Sequence, residues 1–190
     1  MLLFSAVEAS GLAEEDDNRI IEQAIKRLAK GDTDAIGDVY DLTRTKLYGY
    51  ILSILKNVQD TEDTLQDTYI KITTSAGLYH SEGKPMAWIF TIARNLSLMK
   101  LRSSSRFTDI EDFEWDQMSV GSDEFHVEDR MILETAMTIL SDEESQIVML
   151  HAVSGLKHRE IADLYDMPLA TVLSKYNRAI KKLQKEMEKG

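Results

Sequence analysis

The chain has 190 residues, no cysteine, two prolines and a formal net charge of −11. That composition excludes disulfides and thiolate metal sites, and it argues against a nonspecific polycation that coats nucleic acid. Apolar residues make up 43% of the chain, ordinary for a globular protein, and no apolar run approaches the length of a membrane span, so no membrane insertion is expected.

Long helix-forming runs and the lack of a strand-length Val/Ile/Thr alternation predict an all-α protein. Met1–Val7 has no basic start and leads to no cleavage site, so no signal peptide is read and the expected location is cytoplasmic. Residues 1–18 are weakly patterned, end in Glu14-Glu15-Asp16-Asp17 and are read as a flexible N-terminal arm. A helix is predicted from about Arg19 to Ala29 with Ile20, Ile21, Ala24, Ile25 and Leu28 buried, stopped by Gly31. Asp32 or Asp34 can cap the next helix, whose inward face uses Ile36, Val39, Tyr40, Leu47, Tyr50, Ile51, Ile54 and Leu55.

Asp60-Thr61-Glu62-Asp63 opens a third helix, with Asp60 as cap and Asp63 completing a capping-box variant. Leu65, Tyr69 and Ile72 point inward, while Glu62, Asp63 and Gln66 form an acidic strip that, taken alone, reads as a solvated face. Thr73–Lys84 reads as a loop. Pro85 then sits in the first turn of a helix to about Ser103, with Ile89, Ile92, Ala93 and Leu96 as core. Thr91, Arg94, Asn95, Leu98 and Arg102 fall on the opposite side, with Trp88 between the faces. No Asp or Glu occurs from Gly83 to Thr108, where Lys84, Arg94, Lys100, Arg102 and Arg106 stand. An aromatic, an amide and cations beside a loop suit single-stranded nucleic acid, which needs a stacking surface and phosphate partners. A core tryptophan with solvated arginines is the plainer reading of the same residues.

Residues 105–127 change character: seven acids between Asp109 and Glu124 are interspersed with Phe107, Phe113, Trp115 and Phe125, as in an acidic linker between two domains. Being acidic, it could also lie on the basic surfaces and screen them. A second domain is read over 128–190. Met131, Leu133, Ala136, Met137 and Leu140 belong to its first helix. Ser141-Asp142-Glu143-Glu144 is a regular capping box, followed by Ile147, Val148, Leu150 and Val153 and ended by Gly155. Lys157–Lys182 reads as two helices around Asp166-Met167-Pro168. Ile161, Ala162 and Leu164 line the first, with Ala162 small enough for a close crossing. Val172, Tyr176, Ala179, Ile180 and Leu183 line the second, whose other side carries Lys175, Arg178, Lys181, Lys182 and Lys185. This is the layout of a helix-turn-helix, in which one helix braces and the next enters the major groove; an ordinary helical hairpin is the plainer reading.

His80, His126, His151 and His158 show no metal-ligand spacing, and no glycine-rich phosphate loop or nucleophile–base arrangement stands out. No metal, no cofactor and no enzymatic activity are expected.

Three stretches in this order, Asp60–Ile72, Lys84–Arg102 and Leu140–Leu183, resemble the extracytoplasmic-function (ECF) subfamily of sigma-70 type bacterial RNA polymerase sigma factors. The resemblance implies two small helical domains, a sigma region 2 bundle at 19–104 and a sigma region 4 helix-turn-helix at 128–190, joined by the acidic linker. It implies core RNA polymerase and promoter DNA as partners, with an anti-sigma factor as a further candidate. Asp60, Asp63, Gln66 and Asp67 would bind the polymerase clamp. Trp88, Arg94, Asn95 and Arg102, with the loop around Gly77–Gly83, would melt and hold the minus-ten element. Thr171, Ser174, Lys175 and Arg178 would read the minus-thirty-five element as a duplex. Four positions depart from the family pattern: Met99 for an aspartate, Asp166 for a turn glycine, Pro168 for a serine cap, and Leu173 for a lysine that would contact phosphate. A sigma-like adaptor or decoy that binds an anti-sigma factor or polymerase without reading promoters remains the alternative; a repressor would not need the Asp60–Ile72 strip or the Trp88 helix.

Overall fold

The computed structural model describes residues 2–104 and 138–188. They form seven α-helices and, among the described residues, no strand. Helices α1 (Leu2–Leu28), α2 (Ile36–Leu55), α3 (Val58–Ser75) and α4 (Pro85–Ser104) make a first lobe, with 3-10 turns at Thr33–Ala35 and Ala76–Leu78. Helices α5 (Asp142–Val148), α6 (His158–Tyr165) and α7 (Leu169–Met187) make a second, α5 being prolonged by a π turn, Met149–Val153. The expected acidic linker and the expected helical positions Met131, Leu133, Ala136 and Met137 lie outside the described residues.

The first helix starts at Leu2, so the segment expected to be an arm is helical. Ile21, Ala24, Ile25 and Leu28 are buried as expected, but Ile20 is 42% exposed. Gly31 takes φ +91°, which only glycine adopts without strain, and the chain turns there. Asp32 makes no side-chain cap. Its carboxylate instead accepts from Arg27 Nε at 2.8 Å, and the same guanidinium reaches Asp38 at 3.0 Å. The third helix is capped by Asn57, whose Oδ1 accepts from the Asp60 amide at 2.8 Å, not by Asp60. The expected start was three residues late because an asparagine in an extended conformation was available after left-handed Lys56.

Helix α2 is the post of the structure. Seven consecutive residues, Gly49–Leu55, are buried, so this half of the helix has no solvated face. Helices α1, α3 and α4 cover three sides, and α5 with its π turn covers the fourth. Tyr40 is the exception to the expected stripe, 38% exposed with its ring 5.0 Å from Tyr69. Three buried hydroxyls of this lobe are satisfied inside their own helices: Thr43 Oγ1 donates to the Val39 carbonyl at 2.6 Å, Thr68 to Thr64 at 2.7 Å and Ser97 to Ala93 at 2.8 Å.

The two lobes share one hydrophobic cluster, which runs from Ile21 and Tyr50 through Phe90 to Ile147, Leu150, Ile161 and Val172. A Cβ on Gly49 would lie 2.6 Å from Met149 Cε, so the lobes approach closely here and the tip of Met149 would have to move for a larger residue. Lys56 also bridges to Asp142 across the join.

In the second lobe the capping box forms as read: Ser141 N–H donates to Glu144 Oε2 at 3.1 Å and Glu144 N–H donates to Ser141 Oγ at 3.4 Å. Glu144 is almost fully buried and takes Lys182 Nζ at 2.6 Å on the same oxygen. Burial alone would raise its carboxyl, but Lys182 and the Ser141 amide outweigh burial and hold it below the usual glutamate value. Asp166 takes φ +49°, the left-handed turn that its short polar side chain tolerates, and Ala162 lies buried at the helix crossing. His151, His158 and Tyr176 form a three-ring cluster: the histidine centroids are 3.8 Å apart and each lies under 5 Å from Tyr176. His151 Nδ1 bonds the Leu156 carbonyl at 2.7 Å, whereas His158 Nε2 is buried without a partner.

Two expectations follow for this lobe. Glu144→Gln keeps a bond for the Ser141 amide but removes the charge beside Lys182; chemical denaturation should read a loss of about 1–3 kcal/mol. The native glutamate's contribution should be complete above the usual carboxyl value of about 4.3 and fade as pH falls through its lower folded value. Burial, and then the neighbouring His151, pull His158 below the usual histidine value. The unfolded chain therefore takes the proton first, and stability should drop as pH falls below about 6.5. In His158→Phe the melting temperature should change less between neutral and mildly acid buffer than in the native chain.

Candidate nucleic-acid interface

Helix α4 begins with Pro85 in its first turn, after a loop that closes on Gly83 at φ +69°. That start fixes the rotation of the helix, with Ile89, Phe90 and Ala93 buried at 0% exposure. Phe90 was not among the expected core positions; it fills the gap between α2 and α4, edge-on to Tyr50 at 5.2 Å. Ile92 and Leu96, expected in the core, are half-buried.

On the other side Thr91, Asn95 and Arg102 are exposed, and Trp88 is half-buried. The Trp88 ring packs on Tyr79 at 5.2 Å. Sequence reading passed over Tyr79 because it lies in an aperiodic loop, where spacing carries no signal. Burial pushes its hydroxyl up to about 12. The two rings line an open groove of about 400 Å³ between the Leu78–Lys84 loop, the first turns of α4 and α6. Thr91 spends its hydroxyl on the Ala87 carbonyl at 2.8 Å.

Arg94 is not on a free surface. It is half-buried, with its guanidinium 4.7 Å from the centre of the Tyr165 ring of the second lobe. Lys100 also departs from expectation. It turns back to α3, where its Nζ meets Asp60 at 3.0 Å and Asp63 at 3.4 Å, and Asp60 foremost holds its ammonium above the usual lysine value. The acid-free span from Gly83 is therefore not one cationic surface. The α3 strip is exposed at Asp63, Gln66 and Asp67 and half-buried at Asp60.

On α7, Val172 and Ala179 are fully buried, which turns Thr171, Ser174, Lys175 and Arg178 toward one outer face. Ser174 and Arg178 are exposed, and Thr171 and Lys175 are half-buried. Carboxylates of α5 stand beside this face: Glu143 takes Lys175 Nζ at 2.5 Å, and Glu144 lies 3.9 Å from Arg178 Nε. A duplex phosphate reaching these cations must compete with two glutamates. Leu173, in place of the lysine expected from the resemblance, is 39% exposed on this helix. Among the described residues no group of three or more side chains is placed to hold a metal ion, and no helix is long and apolar enough to cross a membrane.

The geometry offers an aromatic groove with polar and cationic neighbours on one lobe, and a helix-turn-helix on the other. Two family descriptions match these lobes: Sigma-70 region 2 over residues 39–107 and Sigma-70, region 4 over residues 130–183. The chain is 29% identical over 172 residues to the ECF RNA polymerase sigma factor SigK of Mycobacterium sp. (strain KMS), covering 86% of this chain and 89% of that protein. It is 26% identical over 181 residues to the ECF RNA polymerase sigma factor SigW of Bacillus subtilis (strain 168), covering 88% and 97%. In fold it is similar to CnrH in complex with the cytosolic domain of CnrY, with a TM-score of 0.62, 19% identity and coverage of 89% and 97%. It is similar too to the sigma factor RpoE in complex with the anti-sigma factor NepR from Bartonella quintana, with a TM-score of 0.62, 20% identity and coverage of 80% and 96%. With region 2 on the four-helix lobe and region 4 on the helix-turn-helix lobe, the chain belongs to the extracytoplasmic-function group of the sigma-70 family of RNA polymerase sigma factors.

Proposed function

We propose a division of labour within a promoter-specificity subunit. As a sigma factor the chain binds core RNA polymerase and directs initiation at specific promoters. Residues 19–104 act as the region 2-like domain, 105–127 as the acidic linker and 128–190 as the region 4-like domain. Asp60, Asp63, Gln66 and Asp67 on α3 dock on the polymerase. Trp88, Arg94, Asn95 and Arg102 on α4 hold the opened minus-ten strand, bases stacking on the Trp88–Tyr79 pair while cations and amide take the backbone. Thr171, Ser174, Lys175 and Arg178 on α7 enter the major groove of the minus-thirty-five element. Bond chemistry is left to the polymerase, and the site of action is the cytoplasm. An anti-sigma factor is a further partner of this proposal, in keeping with RpoE, which was solved with one.

The observation that carries the reading is the α4 face, where a half-buried tryptophan on a tyrosine stands one turn or more from exposed Asn95 and Arg102. A solvated core helix has no need of two packed rings at the mouth of a groove. Run-off transcription with core polymerase on a genomic library tests it: initiation at defined sites is expected, and it should be lost in Trp88→Ala. A chain that inhibits initiation by another sigma factor and starts none itself would make it a decoy.

Two substitutions separate the surfaces. Asp67→Arg, on the exposed side of α3, should weaken co-purification with core polymerase about tenfold or more through charge reversal, with duplex binding unchanged. Arg178→Ala should cost about 1–3 kcal/mol of binding to the selected minus-thirty-five duplex and relax preference at one base position. An equal loss on every sequence would make Arg178 a phosphate contact instead.

A further inference from the structure

We propose that Glu22 of α1 is a positioning residue for promoter choice: through Ser81 it aims the 79–84 loop at the groove beside Trp88, and so sets which base the minus-ten site prefers. This rests on the strand-holding reading given above for α4.

Helix α1 turns Ile21, Ala24, Ile25 and Leu28 into the core, which leaves Glu22 at the edge of that stripe. Its carboxylate accepts from the Ser81 hydroxyl, and the same oxygen takes Lys26 Nζ at 3.1 Å. A pair of opposite charges four residues apart on a helix is ordinary, and its carboxylate usually stays in water. Glu22 does not: its side chain is 17% exposed against 53% for Lys26. The bond from Ser81, foremost, holds the carboxyl below the usual glutamate value against the pull of burial, so it is ionised at neutral pH and can only accept. Its charge also reaches Tyr79, where it follows burial among the causes that lift the hydroxyl.

The loop is pinned at both ends. Tyr79 N–H donates to the Ala76 carbonyl at 3.1 Å, and Gly83 at φ +69° leads into Pro85. Among the described residues, the bond from Ser81 is the one side-chain hydrogen bond that ties the segment between them to another helix. Tyr79 is extended at ψ 122°, and side chains alternate along an extended chain. His80, Glu82 and Lys84 line the groove that Tyr79 and Trp88 open, while Ser81 turns the other way, to α1. How far Ser81 is drawn back therefore sets which of these three side chains meets a base captured on Trp88. Stacking accepts any base, whereas hydrogen-bonding groups held at a fixed distance do not.

Run-off transcription with core polymerase, on a promoter from the genomic library remade with each base at each minus-ten position, measures that choice. Glu22→Ala and Ser81→Ala each remove the bond, the second without touching α1. In either variant the preference for the best base at one position should fall about tenfold, the low end for a hydrogen bond to a charged group, while co-purification with core polymerase stays unchanged. The double variant should do no worse than either single one, because both remove the same interaction.

A preference that neither variant changes would overturn the proposal. So would a loss of initiation equal for all four bases, or a double variant in which the two losses add, since each marks separate damage to the fold. Should Glu22→Ala fail to fold, Ser81→Ala in its exposed loop decides alone. If Trp88→Ala abolishes initiation while the tether variants keep the native preference, only the role of Glu22 falls. If Trp88→Ala leaves initiation intact, the strand-holding reading falls, and the role of Glu22 with it.

Discussion

The stretch from Gly49 to Leu55 imposes the constraint on which the structure depends. Six of its seven positions carry no charge and no free polar group to show to water, and Ser53, the other, spends its hydroxyl on the Tyr50 carbonyl at 2.6 Å. A helix that is apolar all round must be covered all round. Three neighbours in its own lobe leave one side bare, and the second lobe fills it. Burying Ile147 and Leu150 against this side removes apolar area from water at roughly 25 cal/mol per Å², a gain that long polar loops do not oppose strongly. The docking of the lobes is thus driven by the same term that builds the first lobe.

Charge works against exposure at each cationic strip. Lys100 is held by Asp60 and Asp63, Lys175 by Glu143, and Lys182 by Glu144. On an acidic chain of net charge −11, each of these three cations finds a carboxylate close by in the fold. Pairs this exposed contribute little to stability. Their consequence lies in binding: a phosphate displaces a carboxylate as well as counterions, so loose adhesion to any duplex is suppressed, while a site with good base contacts can still win. The buried Glu144 differs from the others, since it joins a helix cap to the recognition helix and ties the position of α7 to α5.

What could be read from the sequence was what local chemistry decides. Ser141 with Glu144, Pro85 at a helix start, and Asp166 in a left-handed turn each follow from backbone requirements within one turn, and each is found. The misses are tertiary. Periodicity placed Tyr40 inward, but Tyr69 and Arg44 cover its ring only in part and leave it exposed; Phe90 lies outside the expected stripe and becomes a core residue through the approach of α2. The acid-free span from Gly83 suggested one basic surface, yet helix rotation sends Lys100 to α3 and Arg94 to the other lobe. Tyr79 had no signal at all, because a loop residue's partner is set by how the chain returns, not by spacing. The residue roles on α3, α4 and α7 came from the resemblance, and the coordinates add which of those side chains are already engaged.

Tyr165 ties these threads together. It belongs to the helix-turn-helix by sequence, to the α2 post by its hydroxyl and to α4 by its ring. A ligand shifts such a join only by the difference in its affinity for the two arrangements. A polymerase that touched α3 alone would move nothing, whereas one that touched both lobes at another separation would work against the Tyr50–Tyr165 and Tyr165–Gln146 hydrogen bonds, the Arg94–Tyr165 contact, the Lys56–Asp142 bridge and the apolar surface that the lobes share.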